Sequence, residues 1–318
     1  MQHKLSASDE SSIPRGLSTN TSHLDVVSSR TKYRITGSDF LFIFDAARGG
    51  LCQWNFTSPM TLKSGEIPIS SIAPGFWRAP TDNDMPFDFP YYQRYGLDAM
   101  TSQLRSFNVE PSEDEVIITA VTFISPPILN WGFETITTYR ISSTGSLQVK
   151  VNLKPTGSIS KNLPRVGLDI KLHDDLDNVE WFGIGPGESY VDTCSSQKIG
   201  IYSADVDQLH TPYDVPQENG NRISTRWVKM TNSSGVGIRA SSSGSPKSFQ
   251  WAATRYSPTA LQEERHPRDL VKGTDVLWRL DAKAAGVVSA ACGPGVKEEF
   301  QVKCEEMEFE FVFERIGI

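Results

Sequence analysis

Three short segments concentrate the side chains that can do chemistry. The first reads Gly75-Phe76-Trp77-Arg78-Ala79-Pro80-Thr81-Asp82-Asn83-Asp84. Asp and Asn side chains bond their own backbone and hold tight turns, and Arg78 can grip a carboxylate with two parallel N–H bonds. That reading makes the segment a pinned loop. Asp82 and Asp84, two residues apart, could also ligate a cation. The second segment, Val179-Glu180-Trp181-Phe182-Gly183-Ile184-Gly185-Pro186, runs as a strand into a Gly/Pro turn and then presents Glu188, Tyr190 and Asp192. The third spans Thr211 to Arg222. Pro212 and Pro216 hold it extended, Asn219-Gly220 makes a turn, and Glu218 with Arg222 offers an ion pair.

These segments need a scaffold, and the rest of the chain supplies short strands. Leu147-Gln-Val149-Lys-Val151-Asn-Leu153 alternates apolar and polar with period two, as does Met307-Glu-Phe309-Glu-Phe311-Val-Phe313. Tyr33 to Ile35, Phe40 to Phe44, Val116 to Phe123 and Glu134 to Ile141 are similar runs, rich in β-branched and aromatic residues. Turn signals separate them, with 24 Gly and 19 Pro in the chain. One helical stretch is predicted, Pro90 to Leu104, with Tyr91, Tyr95 and Met100 on one side. Residues 1 to 30 are Ser/Thr-rich without periodicity and read as a disordered N-terminal lead-in, leaving one folded domain over 31–318. The expected fold class is all-β, a large antiparallel β-sandwich.

Composition narrows the function classes. The 318 residues carry a net charge of -7 and no Lys/Arg stripe, which argues against nucleic acid as a partner. No run approaches the roughly 18 apolar residues that span a bilayer. The first 30 residues hold no apolar core of a secretory signal. Four cysteines, Cys52, Cys194, Cys292 and Cys304, lack CxxC spacing and read as thiols of a reducing compartment. The Asn-x-Ser/Thr sites at Asn20, Asn55 and Asn232 then read as chance matches. The expectation is a cytoplasmic protein that no membrane holds.

Taken in order, the three segments resemble the small chain, or C-terminal domain, of glycoside hydrolase family 2 β-galactosidases. Arg255-Tyr256-Ser257, His266, Trp278 and the stretch from Gly286 to Cys292-Gly293-Pro294-Gly295 extend the resemblance over residues 32 to about 315. It implies a supersandwich similar to galactose mutarotase. It also implies a partner, since this domain accompanies a TIM barrel either in one chain or as a separate small subunit. Retaining glycosidases need two carboxylates about 5 Å apart, and in this family both, with the magnesium ligands, lie in that barrel. A barrel takes about 250 residues of alternating βα pattern, which this sequence lacks. The resemblance therefore implies a chain with no catalytic residue and no metal or cofactor of its own, magnesium and sodium belonging to the catalytic part. Its function would be to complete the site of a β-galactosidase that hydrolyses terminal β-D-galactose, as in lactose.

The residues expected to reach the sugar site or the barrel interface are Arg78, Asp82, Asn83, Asp84, Glu218, Asn219, Arg222 and Cys292. Their loops, with the loop from Gly286 to Val296, should meet on one rim. Cys292 falls where the best-known bacterial enzyme places a Trp as a stacking platform for the sugar, and a thiol offers no π face. It either lines the partner's sugar pocket or is a small buried thiol beside a Gly-Pro-Gly turn. The alternative reading is a stand-alone carbohydrate-binding module or aldose epimerase-like protein. Mutarotases pair a His acid with a Glu base, which His210 with Glu218, or His173 with Glu188, could mimic; a lone His near a turn is ordinarily just hydrogen-bonded. His266 reads as a charged surface or interface residue.

Overall fold

Alternation decides the architecture. The computed structural model describes residues 24–56, 69–244, 247–289 and 295–317. In chain order the strands begin with β1 Asp25–Ser29, β2 Lys32–Thr36, β3 Phe40–Asp45, β4 Gly50–Phe56 and β5 Ile69–Gly75. Next come β6 Thr101–Pro111, β7 Glu115–Ser125, β8 Trp131–Ser142, β9 Leu147–Gly157, β10 Asn162–Leu163 and β11 Arg165–Leu172. β12 Asn178–Gly185, β13 Lys198–Asp205, β14 Arg222–Thr225, β15 Trp227–Thr231 and β16 Gly237–Ser242 follow. The last are β17 Phe249–Thr254, β18 Val276–Ala284, β19 Val302–Lys303 and β20 Met307–Ile316.

Two nine-stranded sheets result, one ordered β1-β2-β3-β4-β5-β11-β18-β17-β14 and the other β13-β12-β15-β16-β20-β9-β8-β7-β6. All the pairings within them are antiparallel. The fold is thus the large antiparallel sandwich expected from the sequence. The central strands turn one apolar row inward, such as Leu147, Val149, Val151 and Leu153 on β9, all buried. Aromatic pairs join the sheets through the core: Phe44 with Tyr139, Trp278 with Phe313, Phe249 with Phe311 and Trp181 with Trp251, at centroid distances of 5.0 to 6.2 Å. Gly145, at a φ of +77°, closes the β8–β9 hairpin where a left-handed residue is required.

Two expectations change. The sheet begins inside the segment expected to be a lead-in, because Asp25–Ser29 pairs with Lys32–Thr36 and Leu24 is buried. This strand holds only two apolar residues and lies at the sheet edge, so it carries little pattern. The predicted helix from Pro90 to Leu104 is shorter. Helix α1 covers Asp88–Arg94, Gly96 turns left-handed at a φ of +66°, and residues from Thr101 onward join β6 to β7. Tyr91, Tyr95 and Met100 still pack on the core.

Phe311 is 1% exposed while Ile201 on the outward face of edge strand β13 is 65% exposed. Urea unfolding of Phe311→Ala should show a loss of about 3–5 kcal/mol, against a change within about 0.5 kcal/mol for Ile201→Ala.

Candidate functional site

The centre of the first sheet, on its outer face, carries charged residues where alternation alone would put solvent. Arg279 and Asp281 point outward from β18, and Arg165 joins them from β11. The motif segments fold over this face and bury it. Arg165 is fully buried between Asp281, at 2.6 Å, and Asp169, at 2.7 Å.

The first segment closes on Arg78. Its Nη1 and Nη2 donate to the two oxygens of Asp84 at 2.6 and 3.3 Å, and Nη1 also donates to the Ala79 carbonyl. Asp84 Oδ2 further accepts the Thr81 N–H at 2.7 Å. Burial alone would lower the Arg78 pKa, but Asp84 outweighs it and raises it, so the guanidinium stays charged. Of the two readings of Asp82 and Asp84, these bonds are those of a pinned loop: Asp84 is engaged by Arg78, and Asp82 Oδ2 accepts from Gln217 Nε2.

The other segments lock onto the first. The Asp82 N–H donates to Gln217 Oε1 at 3.1 Å, and the Glu218 N–H donates to the Pro80 carbonyl. Asn83 Nδ2 donates to the Val287 carbonyl at 2.8 Å, and Arg78 Nη2 reaches the Gly286 carbonyl at 3.5 Å. Asp192 accepts three successive backbone N–H groups, of Val287, Val288 and Ser289, at 2.8 to 3.0 Å. Burial would raise its pKa; the three N–H bonds reverse that and hold it below the ordinary carboxylate value. Glu188 accepts from the Thr211 hydroxyl, the Gly220 N–H and the Tyr213 hydroxyl. The expected single rim is therefore present in its described parts. Cys292 lies outside the described residues.

Glu218 corrects a sequence expectation. Its partner is Arg279, bidentate at 2.5 and 3.0 Å, with the Tyr190 hydroxyl at 3.4 Å, and not Arg222. Arg222 instead donates to the carbonyls of Gly220 and Pro186. Its guanidinium lies 5.3 Å over Trp181 and 5.7 Å over Trp251, and burial pushes its pKa down to about 10. Asn219 is a turn brace, accepting from the Thr211 N–H and donating to the Gln217 carbonyl. Neither His–Glu pair forms an acid/base site. Glu218 is engaged by Arg279 and Tyr190, and His173 accepts the Asp175 N–H in its own turn. His266 is an exposed surface residue.

Arg279, Asp281 and Arg165 escaped the sequence reading, although a signal existed. In Val276-Leu-Trp278-Arg-Leu280-Asp, Arg279 and Asp281 form the charged side of an alternating strand, Arg165 stands at the head of neighbouring β11, and only the loops above make that side interior. The rim also exposes apolar side chains: Met85, Phe87, Tyr213, Val215 and Val288 are each 39 to 49% exposed, beside exposed Asp82 and Asp214.

A two-sheet sandwich whose long loops are pinned to one rim by buried ion pairs is the class that fold and site define. The model of the family described as beta galactosidase small chain matches residues 36–313, and the chain belongs to that family. A β-galactosidase of Kluyveromyces lactis is 34% identical over 252 residues, covering 78% of this chain and 24% of that protein. One from Halalkalibacterium halodurans is 28% identical over 92% of this chain and 28% of its own length. The chain thus spans about a quarter of the length of these relatives. Among solved structures, a galactose 1-epimerase from Lactobacillus acidophilus matches with a TM-score of 0.48 at 8% identity, over 92% of this chain and 99% of that one.

Two measurements check the site. Arg78→Ala should lower stability by about 3–5 kcal/mol, because it strands the buried Asp84 carboxylate; a melting temperature equal to the parent's would remove the pinning role. Asp192 has a depressed native pKa, so its contribution is complete above its unfolded value of 3.8 and fades as pH falls through the lower native value. Asp192→Asn should thus be less stable than the parent at pH 7, with the gap closing in strong acid.

Proposed function

We propose that this chain is the small chain of a β-galactosidase. It docks its rim on a barrel-bearing part that supplies both catalytic carboxylates and completes a site for terminal β-D-galactose, such as that of lactose. The observation that carries this reading is the rim itself, where polar bonds pin the loops from beneath while Met85, Phe87, Val215 and Val288 face outward. Exposed apolar side chains gathered on rigid loops suit a permanent partner surface. The relatives' names and their greater length support a β-galactosidase as that partner.

Four carboxylates of the rim do not suit the chemistry. Retaining hydrolysis needs one carboxyl free to give a proton and a second, about 5 Å away, free to attack. Asp84, Asp192, Glu188 and Glu218 are each tied to donors within the fold. Magnesium and sodium would accordingly sit in the barrel part. Two facts support a cytoplasmic site of action. Cys52, Cys194 and Cys304 are free thiols. The Asn232 side chain is buried, accepting the N–H groups of Ser234 and Val236, which ill suits a glycan acceptor.

The test is co-expression with the barrel-bearing part of the same organism. The purified chain alone should not cleave nitrophenyl-β-galactoside, and the pair should. Phe87→Asp with Val215→Asp should abolish pairing at an unchanged melting temperature. Turnover by the chain alone after removal of host enzyme, or none from the pair, would overturn the proposal.

A further inference from the structure

Beside the rim, on the same outer sheet face, lies a cavity of about 330 Å³. Strand register sets its floor. Ala73, Asp169 and Arg279 stand side by side across β5, β11 and β18. Ser71, Lys171, Leu277 and Thr254 form the next row, which reaches β17. Tyr256 and helix α2 (Pro258–Glu263), through Pro258 and Leu261, make one wall. The Tyr256 ring is held against His210 at a centroid distance of 5.0 Å.

The charges at the floor neutralise one another. Arg165 binds both Asp169 Oδ1, at 2.7 Å, and Asp281, at 2.6 Å, and Arg279 is bound by Glu218 at 2.5 Å, so that with Lys171 three cations answer three carboxylates. Lys171 stands at an exposed position, where water screens it. An ionic ligand would thus enter without a counter-charge at depth. What the lining offers is hydrogen-bonding capacity. The Thr254 and Ser257 oxygens accept backbone N–H groups, of Tyr256 and Ala260, which leaves each hydroxyl proton to donate. Asp169 turns one oxygen to Arg165 and keeps the other as an acceptor. Against these stand the flat or aliphatic surfaces of Tyr256, Pro258, Leu261 and Leu277.

A wholly apolar ligand would cover those polar groups without satisfying them, which is costly. A pyranose matches both halves, with a C–H face for the apolar wall and a ring of hydroxyls for the polar one. The volume is that of a small-ligand pocket. We propose that this cavity, which shares Glu218 and Asn219 with the underside of the rim, binds a single uncharged pyranose. The site binds without turning over its ligand, since Glu218 is engaged by Arg279 and Tyr190.

The proposal stands independently of the small-chain reading and is tested on the full chain. Ligand-observed NMR would titrate methyl β-D-galactopyranoside and methyl β-D-glucopyranoside, with benzoate as the anionic probe. Saturable binding of at least one pyranoside is expected. Leu277→Trp, which fills the cavity, and Tyr256→Ala, which removes its wall, should each raise Kd about tenfold or more. Phe87→Asp on the rim should leave it unchanged. Thermal melts verify that both cavity variants fold. The proposal is overturned by absence of saturable pyranoside binding in the parent, by parental affinity in both cavity variants, or by tighter binding of benzoate than of either sugar.

Discussion

Charge removed from water must be answered by opposite charge or by aimed N–H and C=O groups, and this requirement organises the molecule. Arg78, Arg165 and Arg279 are all buried on the outer face of one sheet, each against a carboxylate. A buried pair adds little net stability over an apolar packing, whereas half a pair is severely destabilising. The network therefore acts less as an adhesive than as a specification. Loops that deviate from their positions leave an ion unanswered, so a single arrangement is selected out of many with similar apolar burial.

Arg222 ties this polar layer to the core. Its guanidinium covers Trp181 of one sheet and Trp251 of the other while its N–H groups hold the Gly220 and Pro186 carbonyls. The same two indoles pack on each other at 5.4 Å. Sandwich interior and loop rim thus share a cation, and the relative placement of the sheets fixes where the third motif segment can lie.

Much of this was legible in the residues. Strands with strict alternation, such as Leu147 to Leu153 and Met307 to Phe313, fall where the period placed them, because one face is buried and a shift by one residue would invert it. The Arg78–Asp84 clasp was also readable, since both partners lie within one short loop. The Glu218–Arg222 expectation failed for the opposite reason. Proximity in sequence suggested a local pair, while the true partner, Arg279, is 61 positions away on another strand. Nothing in a strand's own pattern tells whether its polar face meets water or a covering loop, so Arg279, Asp281 and Arg165 stayed hidden. Edge strand Asp25–Ser29 was missed because an exposed edge demands no alternation.

The contacts that make the rim also set its timing. Asp82 meets Gln217 across 135 positions, Asn83 meets Val287 across 204, and Arg78 meets Gly286 across 208. Contacts this distant close late, after the loop entropy of the intervening chain has been overcome. Hairpins such as β8–β9 can zip early, but no early piece of the chain displays the finished rim. The surface therefore reports on the completeness of folding: a chain that lacks its later strands shows sheets without the finished rim. On the proposed docking, the barrel part would meet only chains already assembled from Arg78 to Val287.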